Sequence, residues 1–206
     1  MEKASGDELI TIWLWLSDID NSVIENAMIK EKGLNPSVIT NTPQPSPNLL
    51  TNPGFEEGTD WTPPPAPWVS DVEGGLLIRD WQNGRQNSGT RNATVCLWGD
   101  NSSGFIQQTV ENCDAGIYTA EVWLKSSWVF GYADMCEFYV LVDDAPAGTV
   151  DYLTSAGGNP AYQKFTLSSV QVTQGQDVTV GVRLSYPGGG VIELYIDDFS
   201  FFYIAD

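Results

Sequence analysis

Carboxylates and aromatic rings must carry whatever chemistry this sequence performs, because its 206 residues contain no histidine. That removes a Ser-His-Asp triad, a Cys-His pair and any zinc site built on imidazole. The three cysteines, Cys96, Cys113 and Cys136, follow no metal-ligand spacing. They read as small buried hydrophobes, joined by at most one disulfide. Two carboxylates facing each other across a cleft could hydrolyse a glycosidic bond, at ~5–5.5 Å for retention or ~6.5–9.5 Å for inversion. Glu121, Glu137 and Glu193 sit on or near strand-like runs, but nothing in the sequence gives any of them a partner of opposite role. The aromatic load is the stronger signal: eight Trp, eight Tyr and eight Phe.

Charge narrows the partners. Acids outnumber bases 27 to 9, for a net charge of −18, which repels nucleic-acid phosphates and anionic membrane surfaces alike. A neutral polymer or a divalent cation meets no such objection. No run approaches the ~18 apolar residues of a membrane helix. Ile10–Leu16, ITIWLWL, follows acidic residues and lacks a basic leader, so it does not read as a signal peptide. The expected setting is extracellular, with the export signal upstream of this sequence.

The elements that must position these groups fall into two parts. Thr40–Asn48, TNTPQPSPN, reads as an extended Pro-rich linker. Ahead of it, residues 1–39 hold an apolar strand over 10–16 and then a helix opened by the capping box Ser22-Val-Ile-Glu25, with Val23, Ile24, Ala27 and Met28 on one face. A strand and a helix alone cannot bury their own apolar surface, so this piece is an appendage or the tail of an upstream module. From 49 to 206 the pattern is short alternating runs punctuated by Gly, Pro, Asn and Asp: 94–98, 105–110, 118–125, 136–144, 162–172, 178–186 and 192–203. With 48–56 added, about eight strands result, and the expected fold is an all-β sandwich or jelly roll.

Alternation assigns faces. Tyr118, Ala120, Val122 and Leu124 share one face, and Glu121, Trp123 and Lys125 the other. Val95 and Leu97 look inward, leaving Trp98 outward; Val178, Val180, Val182 and Leu184 look inward, leaving Arg183 outward. If these three strands share a sheet, its outer face carries Trp98, Trp123, Glu121, Lys125 and Arg183. Flat rings flanked by polar groups suit the apolar faces and hydroxyls of a sugar chain. Trp128 and Tyr132, in the loop after the 118–125 run, are further candidates. The blander readings are a packed Trp123, a Glu121–Arg183 surface ion pair, and a Trp61 that caps the core while Trp68 and Trp81 lie in a variable loop.

Three stretches in order, Asn48–Trp61 (NLLTNPGFEEGTDW), Ser103–Ser127 (SGFIQQTVENCDAGIYTAEVWLKSS) and Val178–Phe201 (VTVGVRLSYPGGGVIELYIDDFSF), resemble carbohydrate-binding modules of the family 4, 9 and 22 group. The second and third resemble most the galactan-associated modules of family 61, which also carry a tryptophan where Trp98 stands. The resemblance implies a jelly roll that binds plant cell-wall polysaccharide, without cutting it, beside a catalytic domain of the same polypeptide or complex. It also implies one structural calcium ion, held here by Glu56, Asp198 and a loop carbonyl near Ser88. Alternation sends Asp197 and Asp198 to opposite faces, so only one of them is expected at the metal. The rival readings are a small jelly-roll glycosidase and a protein-binding scaffold module using the free edge of the N-terminal strand.

Overall fold

The computed structural model describes residues 46–80, 85–127, 133–153 and 161–204. The chain divides into units 1–44 and 45–206. The strand–helix reading of residues 1–39 lies outside the described residues.

Ten strands build the second unit: β1 (Val69–Glu73), β2 (Gly75–Asp80), β3 (Asn92–Leu97), β4 (Ser102–Cys113), β5 (Gly116–Ser126), β6 (Met135–Val142), β7 (Ala145–Asp151), β8 (Gln163–Val172), β9 (Gln176–Tyr186) and β10 (Ile192–Ile204). They form two five-stranded antiparallel sheets, ordered β1-β4-β9-β6-β7 and β2-β3-β10-β5-β8. We call the first the groove sheet and the second the bulge sheet. The all-β sandwich expected from the sequence is what forms.

Burial follows the alternation. Ala120, Val122 and Leu124 on β5, Val178, Val180 and Val182 on β9, and Val95 and Leu97 on β3 are fully inaccessible. They interdigitate between the sheets, where each buried valine or leucine contributes about 1.5–3 kcal/mol. Strands β1, β2 and β7 were not expected. In β1 and β7 the burial alternates only between exposed and half-buried positions, because both are sheet edges with little inward side chain to leave a pattern.

An aromatic plug closes one end of the core. The rings of Phe55, Trp68 and Phe199 lie 5.0 Å (Phe55–Trp68) and 4.9 Å (Trp68–Phe199) apart. The Trp68 indole N–H donates to the carbonyls of Thr51 and Asn52. Trp68 is 5% exposed and Trp61 52%, so the roles expected for these two residues are exchanged. Residues 48–56 form a pinned loop rather than a strand. The buried Arg79 donates from Nε to the Phe55 carbonyl and from Nη2 to that of Glu56, which ties the loop to β2. Ser46 and Leu49 bond through their N–H groups to the carbonyls of Tyr203 and Phe201, so the last residues of the Pro-rich stretch are fastened along β10.

Candidate glycan-binding surfaces and the acidic bulge

The residues expected on one platform occupy two sheets. Trp98, Trp123, Glu121 and Lys125 belong to the bulge sheet, whereas Arg183 on β9 lies on the outer face of the groove sheet. Alternation had each strand's outward face right but not its partner: β3 and β5 are separated by β10, and β9 lies between β4 and β6. Trp128 and Tyr132 lie outside the described residues, as does Trp81.

On the bulge sheet the centre is covered by its own side chains. Tyr195, opposite Thr94 and Lys125, is 7% exposed. The Arg85 guanidinium stands 5.1 Å from its ring centre, and the Lys125 ammonium 5.6 Å from it and 5.7 Å from that of Tyr162. Lys125 is thus engaged in cation–π contacts. Arg85 pairs with Asp80 at 2.9 Å. Glu121 pairs with Lys164 at 3.0 Å and not with Arg183. Trp98 stands one residue beyond β3, half-exposed, and Trp123 lies opposite Asp197. Six residues of β10 separate their levels, roughly 20 Å along the strand at ~3.3 Å per residue. The two indoles therefore do not make one continuous floor.

The groove sheet is open. Register carries its outer face across all five strands. One row reads Asp71, Phe105, Arg183, Glu137, Asp151, and the next Val69, Gln107, Gly181, Tyr139, Thr149. Between them lies a groove of about 430 Å³ lined by Asp71, Glu73, Phe105, Gln107, Tyr139 and Arg183, with Met135 and Leu141 at its side. That volume falls within the range of small-ligand sites. Its floor is built in layers. Gly181 carries no side chain, and an added Cβ there would stand 2.6 Å from the Tyr139 hydroxyl oxygen, so the ring lies flat across the strand. Burial pushes the Tyr139 phenol up to about 12, which keeps it a neutral donor. It donates to Gln107 Oε1 at 2.6 Å, fixing that amide so that its N–H₂ is offered to the groove. Above the ring, 5.1 Å from its centre, lies the Arg183 guanidinium. Glu137 Oε2 accepts from its Nε and Nη2 at 2.8 and 2.7 Å. The groove thus presents one aromatic face, Phe105, one stacked guanidinium, an oriented amide and two rim carboxylates. Phe105, Gln107 and Tyr139 were missed, although the alternation of FIQQTV and CEFYVLVDD already turned all three outward.

The third place of interest is the end of β10. The ladder slips between Asp197 and Ser200, and Asp198 adopts a left-handed φ of 47°. This bulge breaks the alternation, so both aspartates meet the same loop, against the expectation of opposite faces. Asp197 Oδ2 accepts the N–H groups of Asn87 and Ser88. Asp198 accepts from Asn87 Nδ2 and Ser88 Oγ. Burial first, and then the charge of Asp198, push the Asp197 carboxyl up to about 7 despite those donors. Nearby, Glu56 accepts from Thr90 N–H, Thr90 Oγ1 and Arg91 N–H. Burial raises its pKa, but these bonds and the Arg91 charge outweigh it and hold the group below the usual range. Gly89, at φ 58°, leaves room for Glu56: a Cβ there would stand 2.0 Å from Oε1.

The donors gathered at this bulge are all oxygens, which suits a hard divalent cation and no soft metal. Among the described residues no three His, Cys, Asp or Glu side chains already surround one point, so a complete shell would need loop carbonyls. Ser88 donates both its N–H and its Oγ–H to the aspartates, which holds this loop against the end of β10.

No family model matches the sequence, and no curated protein matches it. The fold has solved counterparts. A family 61 carbohydrate-binding module in complex with β-1,4-galactotriose is 20% identical, with a TM-score of 0.55, over 77% of this chain and 99% of its own. A carbohydrate-binding module of promiscuous specificity from the β-sandwich superfamily is 13% identical, with a TM-score of 0.53, over 72% of this chain and 60% of its own. An arabinose-bound family 51 α-L-arabinofuranosidase is 13% identical with a TM-score of 0.56, and there the match spans 75% of this chain but 26% of that one. The chain shares the jelly-roll fold of carbohydrate-binding modules, a galactotriose-bound family 61 module among them.

Proposed function

We propose that residues 45–206 form a non-catalytic module that binds a plant cell-wall polysaccharide and holds an attached or associated enzyme on it. The observation that carries this reading is the groove sheet's cluster of Phe105, Arg183 and Gln107 on two adjacent rows, a hydrophobic face beside donors already oriented by Glu137 and Tyr139. A sugar ring stacked on Phe105 would meet those donors and the Asp71 and Glu73 acceptors, with little reorganisation to oppose binding. Trp98 is a second stacking residue on the other sheet, where it would meet a separate part of a long chain. Affinity is expected to be modest, because an open groove leaves much of the ligand hydrated. The carboxylates of the groove fit binding better than hydrolysis: Glu137 Oε2 is already engaged by Nε and Nη2 of Arg183, and nothing among the described residues pairs it with a carboxylate of opposite role. A secreted setting follows from such a substrate.

We also assign a structural calcium ion to the β10 bulge, with Asp198, Glu56 and the Ser88 carbonyl as ligands. What supports it is the pair of adjacent carboxylates turned to one loop, whose repulsion a cation would relieve. Calcium there would brace residues 87–90 against β10, away from the groove.

Affinity electrophoresis against β-1,4-galactan, xylan, mixed-linkage glucan and mannan, with and without calcium, tests both assignments. Galactan comes first because the similar family 61 module was solved with its trisaccharide. Retardation by one glycan without released sugar is the expected result. Released sugar would replace the reading with a glycosidase, and no retardation by any glycan with a protein-binding module. EDTA should lower the melting temperature more than the affinity; an equal loss of both would place the metal at the ligand.

A further inference from the structure

We infer that Glu137 sets the charge selectivity of the groove, so that it takes a neutral glycan chain and rejects one bearing uronates. The inference rests on the carbohydrate-binding reading and narrows it to a substrate class. Arginine in a sugar-binding groove ordinarily invites a carboxylate, because its planar fork matches one bidentately. Here the Nε edge of that fork is taken. Nε and Nη2 of Arg183 both meet Glu137 Oε2, two of the five guanidinium donors. The guanidinium is also seated over Tyr139 at 5.1 Å, which limits its swing towards another anion.

The surrounding charges point the same way. Among the described residues lining the groove, Arg183 is the one cation, against Asp71 and Glu73. Along its row the register places Asp71 on β1, Glu137 on β6 and Asp151 on β7, three acids to one base. Asp151 is turned to its own chain, accepting the Leu153 N–H at 2.8 Å. A uronate entering the groove would meet two rim carboxylates, in a protein of net charge −18, and the Nε edge of the guanidinium would already be held by Glu137. Hydroxyls meet no such penalty: they donate to Asp71 and Glu73 and accept from Gln107 and the remaining Arg183 donors.

The test uses the intact chain in affinity gels containing β-1,4-galactan, xylan or polygalacturonate, at low and at high salt, with Glu137→Gln and Asp71→Asn beside the wild type. Both variants remove one negative charge, but only Glu137→Gln loosens the grip on Arg183. The wild type should be retarded by a neutral glycan and not by polygalacturonate. Glu137→Gln should gain on the order of tenfold in apparent affinity for polygalacturonate, a gain lost at high salt through screening. Asp71→Asn should gain clearly less. Equal gains in the two variants would overturn the role of Glu137 in favour of bulk charge. Retardation of the wild type by polygalacturonate would overturn the exclusion while leaving the module a glycan binder. Failure of the wild type with every glycan would instead bring down the binding reading itself. Melting curves of each variant confirm that it is folded.

Discussion

Adding one methyl group at Gly181 should dismantle the groove floor. An alanine Cβ there would stand 2.6 Å from Tyr139 Oη, 2.7 Å from its Cζ and 2.8 Å from Gln107 Cβ, all well inside contact distance. The backbone cannot step aside, because β9 is bonded to β4 on one side and β6 on the other. The Tyr139 ring must lift instead, which breaks its bond to Gln107 and unseats Arg183. Overpacking of this kind costs about 1–3 kcal/mol, and the lost hydrogen bond about 1 kcal/mol more. We expect Gly181→Ala to lower stability by roughly 2–4 kcal/mol in urea unfolding and to weaken glycan retardation in affinity gels at least tenfold, since all three ligand-facing groups move. In a Tyr139→Ala background most of the obstruction is gone, so the same substitution should cost less than about 1.5 kcal/mol. The double-mutant cycle then gives a coupling of at least about 0.5–2.5 kcal/mol. Additive costs, or wild-type retardation in Gly181→Ala, would refute the layered floor.

Other expectations follow from the same geometry. Trp68→Ala should destabilise by about 3–5 kcal/mol, because it empties the aromatic plug between Phe55 and Phe199, whereas Trp61→Ala should stay within about 0.5 kcal/mol; similar losses at both sites would contradict their burial. Arg183→Ala should weaken retardation by every glycan that binds. Trp98→Ala should weaken only binding to long chains and leave a trisaccharide unaffected, as calorimetry with galactotriose would show; loss of trisaccharide binding would move the main site to the bulge sheet. With no cation bound, the buried Asp197 makes the protein sensitive to pH. Its folded pKa, raised to about 7 from an ordinary 3.8, means the folded state holds a proton that the unfolded chain has lost between those values. Stability in EDTA should therefore fall as pH rises from about 4 to 7 and level off above, by at most about 4 kcal/mol. Asp197→Asn should flatten that dependence in melting curves, and an unchanged slope would remove Asp197 as its source.

How far these features were legible in the sequence depends on the range of the physics behind each. Inward and outward faces of β5 and β9 could be read because burial on one side imprints a period of two on eight or more consecutive residues. Edge strands β1 and β7 left no such imprint, since an edge contributes little to the core and both are rich in small or polar residues. Sheet membership was out of reach for a different reason: alternation says which way Arg183 points but not which strands flank β9. That single ambiguity moved Arg183 from Glu121, its expected neighbour, to Glu137, and with it the centre of the candidate site from one sheet to the other. Tyr139 shows the same gap from the other direction. Its outward orientation was readable, but its value depends on Gly181 lying opposite, a pairing between residues 42 positions apart in sequence.

The bulge at Asp197 and Asp198 teaches a complementary point. The expectation that two adjacent aspartates face apart is correct for a regular strand, and the ladder is regular on both sides of this position. A left-handed residue at Asp198 costs strain that a plain strand would avoid. It is compensated locally by four hydrogen bonds from Asn87 and Ser88, and it leaves Asp197 buried with its carboxyl poised to take up a proton. A carboxylate pair arranged only for hydrogen bonding would gain nothing from setting a second carboxylate beside the buried Asp197, whose charge repels it. The arrangement makes better physical sense if a cation completes it, and the same irregularity that defeated the sequence rule is then the feature that identifies the site.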